Sequence, residues 1–147
     1  YSVYAPITAG SMGMFSWAGY RCSKSYAQKV IFPVTRELNA LTPFLVGTWM
    51  DDKLKCEPSA STNSLLKEYK LPEVNGCLRR AADGRYLLVA VNNTNAPVKA
   101  AFAIDIKNLP DTCKDFISGT AAAIDRGTIS TTLSPYDVRA YVFSAKE

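Results

Sequence analysis

The sequence predicts a mostly β protein: an antiparallel β-sandwich preceded by a short α/β segment. Short apolar runs rich in strand-forming residues recur from residue 77 onwards, and turn-forming residues separate them, which is typical of a sandwich. Residues 1–50 differ, because a helical pattern there accompanies a strand that is apolar on both faces. We therefore divide the chain into an α-β-α unit over 1–50, a linker over 51–70 and a sandwich over 71–147.

Length and composition are those of one globular domain, or of one small domain plus a fragment of another. The chain has 147 residues, of which 48% are apolar and 20% charged, so it can bury a core. The net charge of +4 is mild and scattered, with Arg79-Arg80 as the longest basic cluster, which does not predict nucleic-acid binding. No apolar run approaches the ~18 residues of a membrane span. Because the sequence starts in mid-pattern without Met, we expect a fragment of a longer protein.

The N-terminal unit should contain two helices around one strand. A helix over residues 1–8 is followed by a small-residue turn and a strand over 12–18. Ser23 or Ser25 is expected to cap the second helix. Pro33 either kinks that helix or begins its second half, and Gly47 is expected to end it. Its apolar residues recur at three- and four-residue steps: Val30, Ile31, Val34, Leu38, Leu41 and Leu45. Residues 51–70 are polar and Ser/Pro-containing, which favours a linker.

The stretch over residues 83–106 carries most of the β prediction. Asp83-Gly84 is a tight-turn pair, because Gly tolerates the positive φ of hairpin turns. An apolar strand over 86–91, a polar turn from Asn92 and an alternating strand over 98–106 follow. We interpret these two strands as a half-buried antiparallel hairpin. Further strands are expected over residues 77–81, 113–117, 128–133 and 138–143.

The cysteines leave two alternatives open. The chain has four of them and no His, and no Cys-x-x-Cys pair occurs, so no zinc site is predicted. The cysteines could form two disulfides, of which Cys56–Cys77 is our preferred pair, or remain buried free thiols in a reducing compartment. Asn92-Asn93-Thr94 matches a glycosylation sequon, a triplet that often arises by chance.

Three segments carry a resemblance to a known family. They are Tyr4-Ala-Pro-Ile-Thr-Ala-Gly-Ser-Met-Gly-Met-Phe-Ser-Trp17, the run from Phe32 to Pro43, and Leu133-Ser-Pro-Tyr-Asp-Val-Arg-Ala-Tyr141. With the 83–94 turn region, they resemble the C-terminal end of a (β/α)-barrel retaining glycoside hydrolase of the superfamily that includes β-galactosidases and β-glucanases. The resemblance implies the last barrel strand and helix plus a β-sandwich, with the rest of a catalytic barrel as partner. It also implies an extracellular or periplasmic protein.

The resemblance implies a role for Trp17, which matches the aromatic residue that forms the floor of the sugar subsite in that superfamily. An indole face packs well on the C–H face of a pyranose. The alternative is that Trp17 only fills a buried strand. The two carboxylates of a retaining hydrolase would precede Tyr1, so we expect no catalytic residue here and no cofactor. Asp51-Asp52, the only adjacent acidic pair, is interpreted as a solvated patch.

Three functions are compatible with the sequence. The chain could be the non-catalytic C-terminal region of a glycoside hydrolase that supports the barrel and contacts polysaccharide. It could instead be a stand-alone carbohydrate-binding module, which would need two or three exposed rings on one face. The candidate rings, besides Trp17, are Trp49, Tyr69, Tyr86, Tyr136 and Tyr141. Finally, the apolar residues of the barrel-like segment could pair with another copy and make a homo-oligomer.

Overall fold

A computed structural model describes residues 3–12, 23–58, 68 and 72–146. The described helices are α1 (Tyr4–Thr8), α2 (Lys24–Tyr26) and α3 (Phe32–Leu45), with a π-helical turn (Ala27–Ile31) joining the last two. The strands are β1 (Thr48–Trp49), β2 (Leu54–Pro58), β3 (Val74–Arg80), β4 (Tyr86–Asn92), β5 (Val98–Ile104), β6 (Thr112–Asp115), β7 (Ala121–Ala123), β8 (Thr128–Leu133) and β9 (Val138–Phe143). A 3-10 turn (Asp51–Lys53) lies between β1 and β2.

The described strands form two antiparallel sheets. One has six strands in the order β1-β3-β4-β9-β6-β7, and the other has three in the order β2-β5-β8. One apolar core, with Leu88 and Phe102 among its members, lies between the sheets. A second core, with Leu41 and Val89, lies between the six-stranded sheet and the helices. The mostly β sandwich predicted from the sequence is therefore confirmed, and a helical layer covers its larger sheet.

Strand β4 is buried along its whole length because it has a core on each side. Its successive side chains point to opposite faces of the sheet. Leu88 and Ala90 enter the core between the sheets, whereas Leu87 and Val89 enter the core under the helices. The continuous apolar run of β4 thus belongs to an antiparallel strand that is covered on both faces.

The hairpin predicted between residues 86–91 and 98–106 is wrong. β4 pairs with β3 and β9, whereas β5 pairs with β2 and β8, so residues 93–97 cross from one sheet to the other. Both strands were predicted with nearly correct bounds, but an alternating or apolar pattern does not say which strand is the neighbour. The Asp83-Gly84 turn is confirmed in the β3–β4 hairpin, where Gly84 has φ +86°.

Residues 51–58 are not a linker. β2 pairs with β5 along Leu54–Pro58 and contributes to the smaller sheet. Leu54 and Cys56 pack against the core between the sheets, while Lys55 and Glu57 are exposed. An edge strand this short contains too few apolar residues to stand out from its charged neighbours. Strands β1 and β7 were missed because they have only two and three residues, too few to show a period, and β7 consists of alanine, a weak strand former.

The long helix follows its sequence signals. Ser23 is the N-cap, and its Oγ accepts a hydrogen bond from the Tyr26 N–H at 3.2 Å. The Phe32 N–H bonds to the Ala27 carbonyl, an i→i−5 step placed directly before Pro33, which lacks an N–H. Pro33 therefore lies in the first turn of α3. The helix ends at Leu45, and a Cβ at Gly47 would collide with the Arg80 carbonyl. The strand predicted over 12–18 lies almost entirely outside the described residues.

The preferred disulfide is also wrong. Cys56, Cys77 and Cys113 are free thiols, and Cys22 lies outside the described residues. Cys56 packs between the sheets and Cys77 packs under the helices, so the six-stranded sheet separates them. Burial raises the pKa of the Cys77 thiol to about 11, which keeps it protonated and unreactive at neutral pH.

Asn92 is a buried polar link between the two sheets. Its amide nitrogen donates to the carbonyls of Ala96 and Ser134, both at 2.8 Å. Its Oδ1 accepts from the Thr94 N–H and hydroxyl, both at 2.8 Å. Asn92 is 0% exposed, so the sequon that it heads cannot be glycosylated in the folded protein. The side chain instead joins the β4–β5 crossing to the β8–β9 turn.

Replacing Asn92 should therefore destabilise the fold. Asn92→Ala leaves several buried backbone groups without partners, and we expect a loss of about 2–4 kcal/mol in the free energy of unfolding. Asn93→Ala is the matched control, because the Asn93 amide donates to Pro72 at an exposed site and its loss should cost under about 1 kcal/mol. Urea unfolding of both variants measures the difference. Equal losses would contradict the role of Asn92.

Candidate functional site

The predicted sugar-contacting rings fall into three groups. Trp17 and Tyr69 lie outside the described residues. Tyr86 and Tyr141 are buried, at 7% and 3% exposure, and Tyr86 stacks on Phe143 with 5.5 Å between ring centroids. Their faces are occupied by the core between the sheets, so the prediction that they stack on sugar is corrected. Aromatic side chains on strands often fill sandwich cores, because burying their apolar surface is favourable, as it is for Leu or Val.

Trp49 and Tyr136 are exposed, at 44% and 50%, but far apart. Trp49 of β1 pairs with Arg79 of β3, and Arg79 in turn pairs with Leu87 of β4, so these three residues form one cross-strand row (a rung). Tyr136 lies in the turn before β9, where Val138 is opposite Val91. Four residues of β4 separate the two rungs, which is about 13 Å along the strand. The two exposed rings therefore lie at different ends of the sheet and not side by side.

Arg79 occupies the inner face of Trp49. The two residues are cross-strand neighbours on the helical side of the sheet, and the Arg79 guanidinium carbon lies 3.1 Å from the centroid of the indole. Arg79 is 0% exposed, so the exposed part of Trp49 is its outer face and edge. Within the described residues, Nε and Nη1 of Arg79 have no hydrogen-bond partner. The indole therefore compensates a buried charge that would otherwise be costly.

The same pair fixes α1. Arg79 Nη2 donates to the Ile7 carbonyl at 3.2 Å, near the C-terminal end of α1 where a cation is favourable. Gly10 packs against the edge of Trp49, and a Cβ there would lie 2.8 Å from its Cη2. We call Ile7, Gly10, Trp49 and Arg79 the N-terminal clamp. From the sequence, Arg79-Arg80 was interpreted only as a basic pair. Because successive side chains of a strand point to opposite faces, one of the two arginines could have been expected to face the protein interior.

A second bond holds α1 to α3. The Tyr4 hydroxyl donates to Glu37 Oε2 at 2.9 Å, and Tyr4 is buried. Burial and this hydrogen bond raise the pKa of Tyr4 well above its ordinary value, so it stays a neutral donor. The clamp and this bond attach the N-terminal segment to the sandwich from two sides.

The N-terminal part of the long helix extends beyond its cover. Leu41, Phe44 and Leu45 are buried against the six-stranded sheet. Toward the N-terminus, Tyr26, Val30 and Phe32 are 52%, 41% and 52% exposed. We call these three residues the exposed helix surface. Among the described residues, nothing covers it.

The acidic residues that the structure describes serve ionic and backbone contacts. Asp51 Oδ1 accepts the Leu78 N–H at 2.7 Å, so it anchors the 3-10 turn to β3. Asp115 and Asp137 both bind Arg139, at 3.0 and 3.2 Å. Burial of Asp115 acts to raise its pKa, but hydrogen bonds from Ser118, Arg139 and the Ile117 N–H outweigh burial and lower it. A general acid needs a raised pKa, so this cluster favours ionic stabilisation over proton transfer.

No group of three or more His, Cys, Asp or Glu side chains in the described part of the chain could hold a metal ion. None of the described helices is long and apolar enough to cross a membrane.

Comparisons with known proteins find solved structures with a similar fold. No protein-family model matches the sequence, and no curated protein matches it. An alpha-galactosidase candidate from Bacteroides fragilis NCTC 9343 superposes with a TM-score of 0.58 and 16% identity, over 96% of this chain and 27% of its own. An Anoxybacillus alpha-amylase gives 0.54 and 15%, over 88% and 24%. A maltogenic alpha-amylase from Thermotoga neapolitana gives 0.54 and 12%, over 81% and 26%.

These similar structures are glycoside hydrolases, and the chain spans about a quarter of their length. At such low identities the likeness shows a shared fold. It supports a resemblance to glycoside hydrolases in general and leaves the β-galactosidase/β-glucanase superfamily as a proposal.

Gly10→Ala tests the N-terminal clamp. The added Cβ meets Trp49, and Gly10 has φ +110°, so we expect a loss of about 2–3 kcal/mol. Gly84→Ala is the control, because it has φ +86° but nothing within 4 Å, and should cost about 1 kcal/mol. In a Trp49→Ala background the Gly10→Ala loss should shrink by at least about 0.5 kcal/mol, as measured by a double-mutant cycle. Strict additivity would contradict the contact.

Asp115 should make stability depend on pH. Because its folded pKa is lowered, its contribution is present above the unfolded-state value near 4 and is lost as pH falls through the lower folded value. Asp115→Asn should cost about 1–3 kcal/mol at pH 7, and this cost should shrink as pH falls from 7 through the lowered folded pKa. Urea midpoints across this range measure it. Asp111→Asn, which removes an exposed pair with Lys146, should show a much smaller dependence, and similar profiles for both variants would refute the assignment.

Proposed function

We propose that the chain is the non-catalytic C-terminal region of a glycoside hydrolase, in which the β-sandwich supports the catalytic barrel. The observation that carries this proposal is the way in which the helical layer joins the sandwich. The N-terminal clamp and the Tyr4–Glu37 bond attach α1, while Leu41 and Phe44 attach α3. A sandwich bound this firmly to helices can hold the end of a larger domain in place.

The exposed helix surface supports the same proposal. Tyr26 and Val30, four residues apart, share one face of the helix, and Phe32 lies on another face. Exposed apolar side chains of this kind normally lie against another element. The glycoside hydrolases with a similar fold are about four times as long as this chain, which agrees with a covering domain elsewhere in the protein. The sequence resemblance implies that residues 1–50 are the last strand and the last helix of that barrel.

Direct sugar contact is the second candidate function, and Trp49 favours it. Its outer face is open, and the buried Arg79 behind it holds the ring in place. A stand-alone carbohydrate-binding module has less support, because the exposed rings of Trp49 and Tyr136 are at opposite ends of the sheet. A single stacked ring gives weak binding, since aromatic contacts contribute about 1 kcal/mol each beyond area burial.

The supporting role is tested by comparing the complete protein with this chain. Phe32→Ser and Val30→Ser should each lower the stability of the complete protein by about 1–3 kcal/mol, because the proposed barrel buries both side chains. In the isolated chain the same changes should stay within about 0.5 kcal/mol, since both residues are exposed there. Gln28→Ser, an exposed polar position, should be neutral in both.

Two outcomes would contradict this proposal. One is an equal effect of Phe32→Ser in the complete protein and in the chain. The other is hydrolysis of chromogenic α- or β-glycosides by the purified chain, which would place catalytic groups within it.

A further inference from the structure

A depression of about 600 Å³ lies on the outer face of the three-stranded sheet, away from the helices. Its floor is Ala101, which the strand register places between Glu57 of β2 and Ser130 of β8. Lys99 and Thr132 face each other on the next rung. Because a methyl group is shorter than each of these neighbours, the alanine creates the hollow.

The rim of the depression offers both hydrogen-bond donors and acceptors. Glu57 supplies a carboxylate, Lys99 an ammonium, and Ser130 and Thr132 supply hydroxyls that can donate or accept. All four side chains are exposed. The ion pairs found among the described residues involve other side chains, so neither Glu57 nor Lys99 is neutralised within that part of the chain.

We propose that this depression binds a neutral oligosaccharide. Opposite charges on its rim give no preference for an anion or a cation, which disfavours phosphate and carboxylate ligands. Alternating donors and acceptors match the hydroxyls of a sugar, and the Ala101 methyl group can contact its C–H face. The choice of a sugar as ligand rests on the proposed function, whereas the site itself is distinct from Trp49, which lies on the helical side of the other sheet.

NMR titration of the whole chain tests the site. The ligands are maltotetraose, cellotetraose and β-1,4-galactotetraose, each added to about 20 mM, since contacts of this kind give millimolar affinity. We expect at least one sugar to give saturable shifts in the amides of residues 57, 99–101 and 130–132. Ala101→Arg fills the depression and should weaken binding at least tenfold, and Lys99→Ala should weaken it about threefold.

Two substitutions on the same sheet face serve as matched controls. Lys55 and Ala103 face each other one rung away from Ala101, outside the depression. Lys55→Ala and Ala103→Arg should therefore leave the affinity unchanged. If they weaken binding as much as Ala101→Arg does, the depression is not the site.

Three further results would overturn the inference. They are the absence of saturable shifts with all three sugars, shifts confined to the surroundings of Trp49, and shifts that depend on protein concentration alone, which would identify this face as a contact between copies. None of them bears on the supporting role, which the complete-protein comparison tests separately. Conversely, sugar shifts in the predicted amides would stand even if the Phe32→Ser comparison failed.

Discussion

A strand with apolar side chains on both faces is stable only if another layer of the protein packs against each face. Strand β4 therefore requires a layer on both sides of its sheet. Leu88 and Ala90 require the smaller sheet, and Leu87 and Val89 require the helices. Exposing either side would leave several aliphatic side chains in water, at about 1.5–3 kcal/mol each. The three-layered arrangement follows from this single strand, and so does the dependence of the helices on the sandwich.

Buried polar groups fix the two ends of this arrangement. At one end Arg79 places a charge under Trp49 and binds the end of α1. At the other end Asn92 satisfies the backbone where the chain crosses between sheets. Apolar layers alone can slide over one another, whereas hydrogen bonds of defined geometry specify one alignment. This alignment is what a supporting domain has to provide.

The two outer surfaces of the layered fold suggest different tasks. The helical side carries the exposed helix surface and the outer face of Trp49, both of which suit contact with a larger domain or its substrate. The opposite side carries small and hydrophilic residues around the Ala101 depression, with no ring among its lining residues. In the roles proposed above, the first side contacts a catalytic domain and the second a sugar chain.

Element types could be read from the sequence because each depends on local chemistry. Ser23, one of the two serines expected to cap the helix, is its N-cap, and Gly84 has the positive φ of a tight turn. Strands over 128–133 and 138–143 were predicted with the bounds that they have. Short strands such as β2 escaped detection, since five residues with two inward side chains give too weak a period.

The sequence by itself determined the β class, the helix with its start and end, and which residues on each strand share a face. These properties depend on φ preferences and on the two-residue period of a strand. Only the tertiary structure decided that β4 and β5 lie in different sheets, that Cys56 and Cys77 are separated, and that Tyr86 and Tyr141 are core while Trp49 is exposed. Those outcomes depend on which elements meet, and a one-dimensional pattern carries no information about neighbours distant in the chain.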